Sequence, residues 1–534
     1  MLQTDLADLV LTAAEVAPDR LAVVESDGRG RTWGELEREV SSFATGLGGL
    51  GVRAGHRMMI VLGNRLEFVT SYLGVLRAQV VAVPVNPRST ADELARMIAD
   101  SGTRLVVADP HSVAAVRSAC AQVVSALDGA TTDLDADLVS RAQRPRIVVV
   151  DGPTETGEVA YADVLAAQGR AVPLLPDPEK LAALLYTSGT SGRPRAAMLT
   201  HRALLANLAQ IAEVEPPMIH GDDVVLGVLP LFHVYGLNAV LGGILRHRAK
   251  LLLVEQWDPH TVLDLIEDEA VSVLPVAPPV FAHWRGVEDL ADRLGPVRLV
   301  LSGSAPLSGE VVDEFTAITG VPVHQGYGLT EAAPVVTSTL CSERHQSGSV
   351  GAALPGIELR LVDDSGHVVS GEDPGEIQVR GANLFSGYWP DSSGGPTREG
   401  WWSTGDVGFL DASGDLFLVD RLKELVIVSG FNVYPSEVEE VIREVPGVRD
   451  AAVIGVADEQ TGEAVVAYVV GSDAQGAADA LADAVREHTA ARLARFKQPS
   501  RIEVVDELPF TVTGKVQKGR LRGIERRRAL GLLE

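Results

Sequence analysis

Between positions 187 and 195 the chain runs Thr187-Ser188-Gly189-Thr190-Ser191-Gly192-Arg193-Pro194-Arg195, hydroxyls and glycines closed by two arginines. Such a loop suits a polyphosphate. Glycine permits close backbone approach, hydroxyls and bare N–H groups donate to phosphate oxygens, and arginine neutralises charge. It is not a Walker loop, because Arg193 follows Gly192 where that pattern requires lysine. The apolar residues 181–185 ahead of it read as a buried strand, and Thr200 behind it as the cap of a helix.

Other stretches also carry side chains that could do chemistry. In Gln325-Gly326-Tyr327-Gly328-Leu329-Thr330-Glu331, small residues bracket Tyr327, whose ring can stack on a purine. Glu331 offers a hard oxygen ligand for Mg²⁺. Ser302-Gly303-Ser304-Ala305-Pro306 is a small-residue bend after a strand, where a ligand can approach the backbone. Gly405-Asp406 places a carboxylate acceptor on a turn. Taken alone, His233 among Phe232, Val234 and Tyr235 reads as a core histidine. The charged run Asp420-Arg421-Leu422-Lys423-Glu424 reads alone as solvated surface, and Lys515 after Gly514 as a turn residue.

Taken in chain order, the stretches resemble the signatures of the adenylate-forming superfamily, which holds the acyl-CoA synthetases, peptide-synthetase adenylation domains and luciferases. The resemblance covers nearly the whole chain. It implies that Thr187, Ser188, Gly189, Thr190, Ser191, Gly192 and Arg195 handle the phosphates of ATP. Gly303, Ser304, Ala305, Gln325, Gly326, Tyr327, Gly328 and Thr330 would border adenine and the acyl pocket. Glu331, with Thr187, would hold Mg²⁺; Asp406 would bind the ribose hydroxyls, and Arg421 the ribose or a phosphate. His233 would gate the acyl group beside the activated carboxylate. Lys423 would be the pivot between domains, and Lys515 the cation delivered to the carboxylate–α-phosphate junction. Gly430-Phe431-Asn432-Val433-Tyr434-Pro435 resembles the members that use coenzyme A. The chain departs from the common Pro-Lys-Gly at Pro194-Arg195-Ala196, where arginine keeps the charge but presents a planar fork.

These side chains need a scaffold, and 534 residues exceed one core and imply at least two domains. Up to about residue 330, short apolar runs alternate with helical patterns, which predicts α/β layering with helix-covered sheets. Residues 121–143 are less regular and read as a surface excursion. Residues 350–419 change to short alternating strands and turns, a β-rich subdomain. Beyond them lies a compact α+β unit, in which Ser436 and Glu439 are spaced as a capping box. Its basic tail, Lys518, Arg520, Arg522, Arg526, Arg527 and Arg528, reads as a solvated helix face, with CoA phosphates as the other use. The expected organisation is an N-terminal adenylation domain over 1–419, a hinge at 420–424 and a mobile C-terminal domain over 425–534.

Composition narrows the function classes. Hydrophobic content of 46% with 22% charged residues is that of a soluble globular protein, and a net charge of −26 argues against a nucleic-acid footprint. Cys120 and Cys341 give no disulfide framework and no metal-ligand spacing. The start of the chain lacks the layout of a signal peptide, so the cytoplasm is the expected compartment. Residues 224–245 are mostly apolar, but Pro230, His233, Tyr235 and Asn238 interrupt them as a membrane span, and Gly236, Gly242 and Gly243 weaken them as one helix. A literal G-x-G-x-x-G at Gly46 to Gly51 follows a helix and precedes a strand, the reverse of the dinucleotide fingerprint. No G-x-S-x-G elbow supports a serine hydrolase.

The reading is therefore an AMP-forming acyl-CoA synthetase with ATP, Mg²⁺, CoA and a fatty or other apolar carboxylic acid. Val234 and Tyr235 stand where peptide-synthetase domains usually place an aspartate for the substrate's ammonium, which favours an acid without that amine. Transfer to a carrier protein or an amine, and a nucleotide-binding homologue with little turnover, remain the alternatives. Peripheral membrane contact and a homodimer both stay open.

Overall fold

The computed structural model describes residues 5–529 apart from 131–133, 170–176, 188–194, 306, 345, 364, 370–372, 422–423, 429–430, 459–460, 473–477 and 512–513. The phosphate-loop residues Ser188, Gly189, Thr190, Ser191 and Gly192, together with Lys423 and Gly430, lie outside the described residues.

Short β-branched runs joined by helical crossovers build parallel sheets, and here they build two. The first has seven strands in the spatial order Val159–Ala160, Arg146–Val149, Leu105–Ala108, Arg57–Val61, Val81–Pro84, Leu181–Thr187, Arg195–Thr200. The second also has seven: Val323–Gln325, Leu299–Ser302, Val273–Val276, Val224–Gly227, Lys250–Leu253, Leu21–Glu25, Gly30–Thr32. Each is parallel except for its last pair.

Strand alternation assigns each side chain to a layer. Met58 and Ile60 join one core, which also holds Val225, Leu251 and the helix residues Phe43, Tyr72 and Leu204. Their neighbours Met59 and Val61 face the opposite layer with Ile98 and Val116. Leu226 and Leu252 likewise turn toward Ile266 and Trp284. The shared core thus spans both sheets and makes one large N-terminal domain.

Thr200 caps the helix His201–Ala212, accepting from the Ala203 N–H at 3.2 Å. The helix Trp33–Gly49 takes in Gly46, Gly48 and Gly49 of the Gly46 to Gly51 cluster before the chain enters the strand Arg57–Val61. A Cβ on Gly46 would stand 2.1 Å from the Val164 carbonyl, so that glycine serves helix packing. The apolar segment 224–245 becomes the strand Val224–Gly227, a loop, the π-helix Tyr235–Gly242 and the helix Gly243–His247. Among the described residues no helix is long and apolar enough to cross a membrane.

A four-stranded antiparallel sheet follows: Ile357–Val362, Gly375–Gly381, Trp402–Leu410 and Leu416–Arg421. A small C-terminal α+β domain then forms on Val426–Val428, Phe431–Val433, the hairpin Val448–Asp458 with Gly462–Gly471, and Arg501–Val505.

Three expectations need correction. Residues 121–127 continue the regular helix Val113–Leu127, because Val116, Ala119, Cys120, Val123 and Ala126 bury one face. The helix Pro435–Arg443 begins one residue before Ser436, so no capping box forms. Instead Ser436 donates to the Val419 carbonyl, and Glu439 accepts from the Val453 N–H at 2.7 Å and from Lys518 at 2.8 Å. The basic tail is not merely a solvated face: Lys518 is only 11% exposed, and Arg528 pairs with Glu503 and Glu525.

Candidate active site

Ligands of open parallel sheets collect beyond the carboxyl ends of the strands, where crossovers leave a crevice. The second sheet delivers three segments there: residues 277–279 after Val273–Val276, residues 303–305 after Leu299–Ser302, and residues 325–328 with Val323–Gln325. The first sheet contributes Thr187 and Arg195, which pair as the last residue of one strand and the first of the next in an antiparallel pair.

Close backbone contacts explain the small residues. The Gln325 N–H donates to Thr339 Oγ1 at 3.1 Å. A Cβ on Gly326 would meet the Thr337 carbonyl at 2.7 Å, and one on Gly328 the Pro334 carbonyl at 2.4 Å. Gly303 lies under the ring of Tyr235, whose Cε1 would be 2.8 Å from an added Cβ. The Tyr235 hydroxyl donates to the Leu301 carbonyl at 3.3 Å, which fixes the ring in place. Ser304 follows with φ +75°, a left-handed conformation uncommon for a side-chain-bearing residue, and Ala305 completes the bend. Ser302, buried beside them, has a hydroxyl with no partner among the described residues.

Two tyrosines organise the polar side of the crevice. Tyr327 is buried and donates to Asp406 Oδ2 at 2.6 Å, while the Asp406 N–H is held by Thr404 Oγ1 at 3.1 Å. Tyr388 donates to Glu331 Oε1 at 2.6 Å, and the Arg195 guanidinium stacks over its ring at 3.8 Å. Glu331 and Thr330 sit on the 3₁₀ turn Thr330–Ala332. Thr187 is 3.4 Å from the Arg195 carbonyl through its hydroxyl.

His233 lies at the mouth of the π-helix, half-buried, with Nδ1 accepting from the Tyr235 N–H at 3.4 Å. Burial pulls its pKa down to about 4, and the Lys515 cation adds to the effect. Lys515 therefore stands near His233, although the two belong to different domains. Its hairpin is closed by Thr511 N–H to Lys515 carbonyl and Lys515 N–H to Thr511 Oγ1 bonds at 2.7 and 3.0 Å. Gly514 turns there at φ +80°, and a Cβ on it would stand 2.7 Å from Pro279 Cγ. Arg421 ends the strand Leu416–Arg421, paired through the backbone with Asp406. Phe431 begins the strand Phe431–Val433 of the C-terminal sheet.

Residues 10–389 match the AMP-binding enzyme family, and residues 437–515 match the AMP-binding enzyme C-terminal domain. The chain belongs to the AMP-binding enzymes. Within them it is an acyl-CoA ligase of the adenylate-forming superfamily, joining a carboxylic acid to CoA through an acyl-adenylate at the expense of ATP. It is 33% identical to the 4-coumarate–CoA ligase-like protein 9 of Oryza sativa subsp. japonica, over 96% of this chain and 92% of the relative. The ATP-bound structure of MatB from Rhodopseudomonas palustris is similar with a TM-score of 0.84 at 31% identity, covering 97% and 99% of the two chains. Its apo structure gives 0.73 at the same identity over 98% and 99%. The Mycobacterium tuberculosis fatty acyl CoA synthetase gives 0.75 at 27% identity over 99% of each chain.

Sequence reading of this AMP-binding enzyme missed Tyr388, which lies 57 residues from Glu331 in the β-rich stretch and outside every motif read for chemistry. It took Ser302 only as part of the small-residue bend, because a hydroxyl without a partner among the described residues depends on neighbours from other strands. Among the described residues no group of three or more His, Cys, Asp or Glu could hold a metal by itself. That suits Mg²⁺ arriving with a nucleotide, which keeps waters and phosphate oxygens and takes only one or two protein ligands. Tyr388 occupies one Glu331 oxygen, and no described donor takes the other.

Proposed function

We propose that this ligase activates an apolar carboxylic acid, held between the π-helix and the ends of the second sheet. The carrying observation is Tyr235, whose ring closes over Gly303 with its hydroxyl tied to the Leu301 carbonyl. Half-buried Ala277 packs against the same apolar core as Tyr235 and extends that wall.

In the proposed roles, Tyr327 is the adenine platform and Asp406 the ribose acceptor. Their mutual bond holds both rigid, and a carboxylate retains lone pairs for further donors. Gln325, Gly326, Gly328, Thr330, Gly303, Ser304 and Ala305 shape the adenine and acyl borders, with Arg421 at the ribose. Arg195 neutralises phosphate charge, and residues 188–192 supply hydroxyl and N–H donors. Glu331 and Thr187 would hold Mg²⁺, which when bound supplies charge neutralisation at phosphate oxygens.

The substrate carboxylate attacks the α-phosphorus and pyrophosphate leaves, giving acyl-AMP. Lys515 stabilises the negative charge at that junction, and neutral His233 bounds the acyl side. The contact of Gly514 with Pro279, and the greater similarity to ATP-bound than to apo MatB, support this arrangement as the adenylate-forming one. The C-terminal domain, 425–534, then turns about the 420–424 hinge at Lys423, withdrawing Lys515 and presenting the Gly430 to Pro435 face. CoA thiolate attacks the acyl carbon and AMP leaves as a better leaving group than hydroxide.

The test is a panel of aryl, short-chain, long-chain, dicarboxylic and amino acids, scored for acid-dependent pyrophosphate release with and without CoA. Apolar monoacids should give release, and CoA should be consumed with them. Activity confined to amino acids or diacids would overturn the assignment.

A further inference from the structure

We propose that Tyr388 is a positioning residue that ties the phosphate-side cation Arg195 to the metal-side carboxylate Glu331. This rests on the roles given above to those two residues. Arg195 and Glu331 come from different elements, the strand Arg195–Thr200 and the 3₁₀ turn Thr330–Ala332, and among the described residues no hydrogen bond or ion pair joins the two side chains directly. The segment 385–389 is stitched to both. Its Phe385 N–H donates to the Glu331 carbonyl at 2.9 Å, and its Trp389 N–H to the Ala196 carbonyl at 2.9 Å. On the same segment the Gly387 carbonyl accepts from the Met198 N–H at 3.0 Å. Tyr388 is thereby fixed on the strand that Arg195 begins.

Its side chain uses both ends of that placement. The ring stacks edge-on against Phe385 at 5.0 Å and presents a face to the guanidinium at 3.8 Å. A planar guanidinium lies flat on such a face, which a compact ammonium does not, so arginine at 195 and tyrosine at 388 suit each other. The hydroxyl reaches Glu331 Oε1 at 2.6 Å. A role in packing alone would be met by phenylalanine; only the hydroxyl fixes which Glu331 oxygen is left for a metal.

The test measures ATP binding by calorimetry across a Mg²⁺ series, without acid, so that no turnover is needed. Tyr388→Phe keeps the ring and should raise the Mg²⁺ midpoint about tenfold, with ATP affinity at saturating Mg²⁺ within about twofold. Tyr388→Leu should in addition weaken saturated ATP binding about threefold. In an Arg195→Ala background that second loss should vanish. A Tyr388→Phe midpoint equal to the parent's, while Glu331→Gln shifts it, would overturn the proposal alone. An equal Tyr388→Leu loss in both backgrounds would do the same. If Glu331→Gln and Arg195→Ala themselves bound like the parent, the underlying roles would fail and the proposal with them. Melting curves confirm that each variant is folded, the phenylalanine variant retaining the Phe385 contact.

Discussion

The Tyr327 hydroxyl donates to Asp406 Oδ2 at 2.6 Å, joining the end of a parallel sheet to the strand Trp402–Leu410 of the antiparallel subdomain, 79 residues away, where the sequence suggests a turn. Each residue limits the other's freedom, and both are buried. Tyr327→Phe removes a hydrogen bond to a charged group, worth about 1.5–3 kcal/mol. We expect a lower melting temperature and an ATP KM raised about tenfold, with CoA KM little changed. An unaltered ATP KM would place the pair outside the nucleotide site.

Lys515 and Lys423 should separate the two half-reactions. Lys515→Ala should abolish acid-dependent pyrophosphate release yet still convert supplied acyl-adenylate to acyl-CoA. Lys423→Pro should do the reverse, because proline fixes a backbone torsion that a pivot must change. Equal loss of both steps in either variant would contradict its assigned role.

Tyr235→Ala should open the space over Gly303 and move acid preference toward bulkier substrates. We expect kcat/KM for the best small acid to fall more than tenfold, about 1.4 kcal/mol or more, while ATP KM holds. Comparing the acid panel for parent and variant measures this. An unchanged ranking would mean that the acid binds elsewhere.

His233 gives a pH prediction. Its folded pKa, about 4, lies below the ordinary 6.5, so the unfolded chain binds a proton that the folded chain refuses in between. Stability should fall as pH drops from 6.5 toward 4, by on the order of 2–3 kcal/mol from this residue. His233→Gln should lose less stability than the parent over that window in urea titrations. Lys515→Ala should raise the His233 pKa, read by NMR, because it removes a nearby positive charge. No rise would mean that the two residues are apart in solution.

Lys518 neutralises a buried acid. Its ammonium lies 2.8 Å from Glu439 and 3.2 Å from Glu424, the residue after Lys423. Burial raises the Glu439 pKa, and Lys518 opposes the rise. Lys518→Met leaves that buried carboxylate with the Val453 N–H and Arg443 at 3.7 Å but without its nearest cation, and should destabilise the C-terminal domain by about 3 kcal/mol. Calorimetric unfolding should show this loss; a thermogram like the parent's would refute it.

Local chemistry made much of the molecule legible beforehand. The periodic apolar runs became strands because a parallel sheet buries both faces, as at Met58 to Val61. Thr200 became a cap because its hydroxyl needs only the next turn. The chemical types at Arg195, Tyr327, Glu331, Asp406 and Lys515 were readable one by one, because residue type is local. Ser436 and Glu439 show where that reasoning stopped. Their spacing fits a capping box, yet Val419, Val453 and Lys518 offered stronger partners from elsewhere in the chain. Only the tertiary structure decided that Tyr388 bridges Arg195 and Glu331, that Tyr235 covers Gly303, and that Lys515 comes up to His233. Those are contacts between distant segments, set by strand order and domain packing, and no local spacing encodes them.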